Sequence, residues 1–79
     1  MTEKQMINKE KISDEEFELI SEIVKVRLEN KKTQKEISNL TGISQPNITR
    51  FEKNLHSASL STTIKILDAL GYKLKIEKK

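Results

Sequence analysis

The chain has 79 residues, a net charge of +3, no cysteine and a single histidine, His56. This length predicts one small domain with a modest core, for which an oligomeric partner is a natural source of stability. The lack of cysteine excludes disulfides and thiolate metal sites, so we expect no metal and no cofactor. No apolar run approaches the ~20 residues of a membrane span, and the N-terminus lacks the apolar core of a signal peptide. These features predict a soluble, cytoplasmic protein with no membrane partner.

Charge is distributed unevenly along the chain. Residues 13–30 hold six acidic and two basic residues, whereas residues 31–56 and 57–79 each have a net charge of +3. A basic surface suits nucleic acid, although lysine-rich proteins are common and charge alone does not decide the class.

The first helix is predicted at about residues 14–30, after a polar N-terminal tail of residues 1–12. Ser13 followed by Glu16 has the pattern of a capping box, and the acidic residues of the first turn are favoured by the helix dipole. We interpret them as helix-capping and solvated groups, because no pocket or partner for a catalytic carboxylate pair is evident. The inward positions, at helical spacing, are Phe17, Ile20, Ile23, Val24 and Leu28.

Two short helices follow, separated by a tight turn. Thr33 and Glu36 form a second capping-box pattern, which predicts a helix from Gln34 to about Thr41 that ends at Gly42. Ser44 is a further N-cap, and Pro46 fits the first turn of a helix over about 45–53. The predicted inward residues of these two helices are Ile37, Leu40, Ile48, Phe51 and Leu55.

A fourth helix and a strand complete the predicted elements. Ser59 caps a helix over about 60–70, which ends at Gly71. Its predicted inward residues are Leu60, Ile64, Leu67 and Leu70. Beyond it, apolar and charged residues alternate with the period of a strand, the apolar ones being Tyr72, Leu74 and Ile76. The expected fold is an all-α, compact helix-turn-helix bundle of about four helices (residues 13–71) with a short C-terminal β-strand (residues 72–79).

The third helix has a polar side that suits DNA. With Ile48 and Phe51 inward, the opposite side presents amide, hydroxyl and guanidinium groups, which can bind base edges in the major groove. Arg50 suits guanine, Gln45 suits adenine, and Thr49 and Pro46 suit a thymine methyl group. An ordinary polar helix face is the alternative.

The sequence TQKEISNLTGISQPNITRFEK resembles the helix-turn-helix of the lambda-repressor/Cro (XRE) family. The resemblance implies that Gln34 binds a DNA phosphate, that the third helix contacts bases, and that Lys53 and Asn54 meet the DNA backbone. It also implies an ion pair between Arg27 and Glu52. The full set of predicted DNA-binding residues is Thr33, Gln34, Ser44, Gln45, Pro46, Asn47, Thr49, Arg50, Lys53 and Asn54. Three positions depart from the family pattern, namely Ser38 for alanine, Asn54 for glycine and Ala58 for proline.

The C-terminal sequence LGYKLKI is similar to the tail of small antitoxins of the HigA-like and HipB-like types. This resemblance implies a homodimer formed through Tyr72, Leu74 and Ile76, repression of its own operon, and a cognate toxin of the RelE/HigB class. The alternatives are a phage-type or general XRE regulator without a toxin, and a protein-interaction domain that has lost DNA binding. An enzyme is not expected, because no catalytic or metal-binding pattern is present.

Overall fold

The computed structural model describes residues 13–54 and 57–79, and the regular structure in these residues consists of four α-helices. They are α1 (Asp14–Glu29), α2 (Gln34–Thr41), α3 (Gln45–Lys53) and α4 (Leu60–Leu70). The predicted all-α helix-turn-helix bundle is confirmed, and the four predicted helices agree with these bounds to within one residue. The predicted tail of residues 1–12 lies outside the described residues. None of the described helices is long and apolar enough to cross a membrane.

Each helix begins at a hydroxyl side chain that caps its first turn. Ser13, Thr33, Ser44 and Ser59 each accept a hydrogen bond from the backbone N–H three residues later. Only Thr33 has the reciprocal bond of a full capping box, because the Glu36 carboxylate accepts from the Thr33 N–H at 2.7 Å. That backbone hydrogen bond lowers the pKa of Glu36.

The turn between α2 and α3 is held by two hydroxyl groups. Gly42 ends α2 with a φ of +81°, a left-handed conformation that glycine adopts at little cost. Thr41 Oγ1 accepts from the Ile43 N–H at 3.1 Å, and Ser38 Oγ donates to the Ile43 carbonyl oxygen. Ser38, where the family resemblance expects alanine, therefore adds a bond that fixes the turn in front of α3.

The core is a hydrophobic cluster to which all four helices contribute. Its members are Ile20, Ile23, Ile37, Ile48, Phe51, Ile66, Leu67 and Leu70. Ile37 and Ile48 have no exposed surface, and burial of an aliphatic side chain of this size stabilises the fold by about 1.5–3 kcal/mol. Helix α2 packs against α3 and α4, and α1 packs against the same two helices.

Five residues predicted to point inward are exposed instead, namely Phe17, Leu28, Leu40, Leu60 and Ile64. In α1 the buried stripe is Ile20, Ile23 and Arg27, and Phe17 and Leu28 lie to one side of it. In α4 the buried stripe is Thr63, Ile66, Leu67 and Leu70, so the prediction was right for Leu67 and Leu70 and wrong for Leu60 and Ile64. The Thr63 hydroxyl is satisfied by the Ser59 carbonyl oxygen at 3.0 Å. Leu55 lies outside the described residues.

Residues 72–79 form neither helix nor strand in the single chain, and all of them are exposed. The predicted strand is therefore absent from these residues of one chain, in which no neighbouring edge supplies hydrogen-bond partners for it. Its pairing with a second subunit stays a prediction. Tyr72 donates its N–H to the Leu67 carbonyl oxygen and so closes the end of α4, whereas Ile76 is fully exposed.

Candidate nucleic-acid interface

Helix α3 turns one apolar side to the core and one polar side to solvent. Ile48 and Phe51 are buried, and these two contacts fix the rotation of the helix about its axis. The exposed residues on the other side are Gln45, Pro46, Asn47, Arg50 and Lys53. The helix begins at Ser44, whose Oγ accepts from the Asn47 N–H, and Pro46 lies in the first turn, where a missing N–H has no consequence.

Arg50 supplies a guanidinium group to this surface. Its side chain is exposed, and it forms no hydrogen bond or ion pair with any residue in 13–54 or 57–79. It borders a groove of about 230 Å³ between α3 and the start of α4, with Asn47, Ser57, Ser59 and Thr62 as its polar lining. The guanidinium is thus available for an external ligand.

Behind this surface, Arg27 and Glu52 form an ion pair between α1 and α3. Arg27 Nε lies 2.5 Å from Glu52 Oε2, and Arg27 Nη2 lies 2.9 Å from Glu52 Oε1, which is a two-point fork. Their side chains are 10% and 11% exposed. Arg27 Nη1 also donates to the Lys32 carbonyl oxygen at 2.5 Å, so the same guanidinium connects the end of α1, the following turn and the last turn of α3.

Two further bonds extend this ion pair to the polar side of α3. Gln34 Nε2 donates to Glu52 Oε1 at 2.9 Å, and Thr49 Oγ1 donates to Gln34 Oε1 at 2.8 Å. We call Arg27, Glu52, Gln34 and Thr49 the polar network. Sequence reasoning assigned Gln34 and Thr49 to DNA and gave no indication of their mutual bond, because the contact joins residues 15 positions apart.

Three further residues predicted to bind DNA are exposed at helix ends. The hydroxyl groups of Thr33 and Ser44 cap α2 and α3, and both residues are exposed. Lys53 is exposed at the end of α3.

Asn54 was predicted to contact the DNA backbone, but it is buried. The residue is only 8% exposed, and its side-chain amide Nδ2 donates to the Phe17 carbonyl oxygen at 2.9 Å and to Ser21 Oγ at 3.3 Å. It ends α3 with a φ of +61°, where the family resemblance expects glycine. The structure therefore gives the Asn54 side chain a structural role between α3 and α1.

Sequence reasoning also missed the position of the loop before α4. The Glu16 carboxylate, expected to complete a capping box with Ser13, accepts instead from the Ser57 hydroxyl at 3.0 Å and from the Ala58 N–H at 2.8 Å. The only signal for this contact was an acid in the first turn of α1, and the capping-box pattern explained that acid in another way.

Comparison with known proteins agrees with this arrangement. A family model described as helix-turn-helix matches residues 23–76, more than half of the chain. An uncharacterized HTH-type transcriptional regulator of Haemophilus influenzae is 36% identical over 76 residues, which cover 94% of this chain and 78% of that protein. No solved structure matches the chain at a significant level. The chain therefore belongs to the helix-turn-helix family, of the XRE type that its α2–turn–α3 sequence resembles.

Proposed function

We propose that this protein is a transcriptional regulator, and not an enzyme, that binds specific sites on double-stranded DNA with α3 in the major groove. The observation that carries the proposal is the exposed polar side of α3, on which Arg50 has no partner within the described residues. Placement of a helix N-terminus against base edges is the usual geometry of helix-turn-helix proteins. The name of the H. influenzae relative supports the same class.

The base contacts follow from the chemistry of the exposed groups. Arg50 can donate two parallel hydrogen bonds to O6 and N7 of guanine, and the Gln45 amide can both accept from and donate to adenine. The ring of Pro46 offers an apolar surface for a thymine methyl group. Asn47, which borders the groove beside Arg50, lies on the same exposed side.

Contacts with the DNA backbone position the helix. One Gln34 amide hydrogen is used by Glu52, and the second remains for a phosphate oxygen. Lys53 supplies a positive charge in the last turn of α3. Because phosphate contacts release counterions, the affinity should fall steeply as the salt concentration rises.

The regulator acts as a homodimer in this proposal. Tyr72, Leu74 and Ile76 are exposed in a tail whose backbone forms no strand with the described residues, and in a strand the three would share one face. Antiparallel pairing of two tails would satisfy those backbone groups. The exposed Leu60 and Ile64 of α4 supply further apolar surface for a second copy.

An antitoxin role is the more specific form of the proposal. It is supported by the likeness of the tail to HigA-like and HipB-like antitoxins and by the acidic α1, on which Phe17 and Leu28 are exposed. A basic toxin of the RelE/HigB class would suit that surface by charge. A regulator without a toxin keeps the same DNA chemistry, whereas a pure protein-interaction domain would be expected to carry larger apolar groups on α3.

Selection from a pool of random duplexes tests the DNA proposal. We expect an inverted repeat whose half-site centres lie one helical turn, about 10 base pairs, or a multiple of it apart. Enrichment of a single unrepeated motif would contradict the dimer but not DNA recognition. If no sequence is enriched, the protein is not a sequence-specific regulator.

Co-expression with the product of the adjoining reading frame tests the antitoxin proposal separately. If that product is a small basic protein that arrests growth, we expect this protein to restore growth and to co-purify with it. A neighbour that neither inhibits growth nor binds would leave the regulator without a toxin as the function.

A further inference from the structure

In the polar network, the direction of each hydrogen bond follows from which groups can donate a hydrogen and which can only accept one. Glu52 is a carboxylate bound by the Arg27 guanidinium, so both of its oxygen atoms accept hydrogen bonds. The group of Gln34 that lies 2.9 Å from Glu52 Oε1 must then be its NH₂, because a carbonyl oxygen there would face another acceptor. The amide orientation of Gln34 is therefore fixed.

This orientation fixes the role of Thr49 in turn. The Gln34 atom next to Thr49 is the carbonyl oxygen Oε1, which only accepts, so the Thr49 hydroxyl donates its hydrogen across the 2.8 Å between them. A threonine hydroxyl has a single hydrogen. Towards DNA, the partly exposed Thr49 therefore retains only oxygen lone pairs and its methyl group.

We infer that Thr49 is a specificity-determining residue that accepts a hydrogen bond from the exocyclic amino group of adenine or cytosine. In the major groove these are the two bases that present a donor, whereas guanine presents only the acceptors N7 and O6. Guanine at this position would set two acceptors against each other. The inference rests on the proposed function, because it describes one contact within the proposed major-groove complex.

The first experiment locates the base pair that Thr49 contacts. Base preferences are measured at every position of the selected operator for the wild type and for Thr49→Val, which keeps the size and a methyl group but lacks the hydroxyl. We expect the preference to change at one position in each half-site. Thr49→Ser, which keeps the hydroxyl and lacks the methyl group, should retain the wild-type preference there.

Operators that lack a single functional group then distinguish a contact with the amino group from a contact with the methyl group of a thymine in the same base pair. Replacement of the amino group by hydrogen should weaken wild-type binding about 3- to 10-fold, the range for one neutral hydrogen bond, and should not weaken Thr49→Val. Where the paired base is thymine, its replacement by deoxyuridine should affect the wild type and Thr49→Ser equally, because Thr49→Ser lacks the methyl group through which a thymine contact would be made. Coupling of Thr49 to the methyl group instead, or to no base, would overturn the inference.

Gln34→Ala provides a matched test of the hydrogen-bond direction. Without the Gln34 carbonyl oxygen, the Thr49 hydroxyl hydrogen is free to donate, so discrimination against guanine at this one position should fall. The variant should also bind all sequences more weakly, and the readout is therefore the ratio of affinities for adenine or cytosine over guanine. An unchanged ratio would overturn the inference. If the wild type selects no sequence at all, the proposed function itself fails.

Discussion

The Glu16 carboxylate of α1 accepts a hydrogen bond of 2.8 Å from the backbone N–H of Ala58, in the loop that precedes α4. The same carboxylate accepts from the Ser57 hydroxyl at 3.0 Å. A contact between residues 42 positions apart thus joins the start of the chain's first described helix to the entry of its last. Because this loop borders the groove next to Arg50, the contact also fixes one wall of the candidate DNA-binding surface.

Glu16→Ala should lower the free energy of unfolding by about 1–2 kcal/mol, because it leaves the partly buried Ala58 N–H without its charged acceptor. Urea denaturation measures the change. Glu18→Ala is the matched control, because Glu18 is an exposed acid of the same helix and its side chain forms no hydrogen bond with the described residues. Equal effects of the two substitutions would show that only the charge of α1 matters.

Arg27 and Glu52 should be strongly coupled in a double-mutant cycle. Arg27→Met or Glu52→Met alone should destabilise the fold by roughly 3–5 kcal/mol, because each leaves a buried charge without its partner. The double substitution should cost much less than the sum, since desolvation of the pair offsets most of its attraction. Thermal or urea unfolding of all four proteins measures the coupling, and additive effects would rule it out.

Arg50→Ala should weaken binding to the selected operator by about 1–3 kcal/mol and relax the preference at one base pair. The physical reason is the loss of a two-point contact to one base. Gel-shift titration against the operator and its single-base variants measures both effects. Lys25→Ala is the control, because it removes one exposed positive charge from α1, far from α3 in the sequence.

In that comparison, Lys25→Ala should leave the base preference unchanged. A preserved affinity and preference in Arg50→Ala would show that α3 does not contact the bases.

If the proposed dimer forms through the tail, removal of residues 72–79 should leave a monomer and abolish cooperative binding to the two half-sites. Sedimentation velocity and operator titration measure the two effects. A second variant distinguishes subunit pairing from phosphate binding. It keeps the apolar residues of the tail and has glutamine in place of Lys73, Lys75, Lys78 and Lys79. A truncated protein that stays dimeric and loses only salt-dependent affinity would show that the tail binds DNA phosphate and does not join subunits.

The helices were predictable because their signals are local. Ser44 before α3, Pro46 in the first turn of α3 and Gly42 after α2 each act within one turn of the helix they begin or end, so the chain sequence alone determines the bounds. The inward face of α4 was not predictable in the same way. Leu60 and Ile64 have the same spacing and apolarity as the residues that are buried, and only the packing of α4 against α1 and α2 selects between the two stripes.

In the candidate site, too, some features were predictable from local sequence and others were not. Arg50, Gln45 and Lys53 lie on the exposed side of α3 because the apolar period already fixes that side. The bond from Thr49 to Gln34 and the burial of Asn54 depend on contacts between helices, for which a single sequence has no local signal. The ion pair of Arg27 and Glu52 was anticipated only through the family resemblance, and its extension to Gln34 was not.

The alternating charges of the exposed tail restrict the register in which two copies can pair. Opposite residues of an antiparallel ribbon share a face, and like charges placed opposite each other are destabilising. With the two-fold axis at Leu74, Lys73 of each copy would oppose Lys75 of the other. With the axis at Lys75, Lys73 of each copy opposes Glu77 of the other, and Leu74 of each copy opposes Ile76 of the other. The two Lys75 residues are then the only like charges placed opposite each other. Glu77, the one acidic residue among the lysines of the tail, would therefore favour a single alignment of two paired copies and so a single separation of their α3 helices.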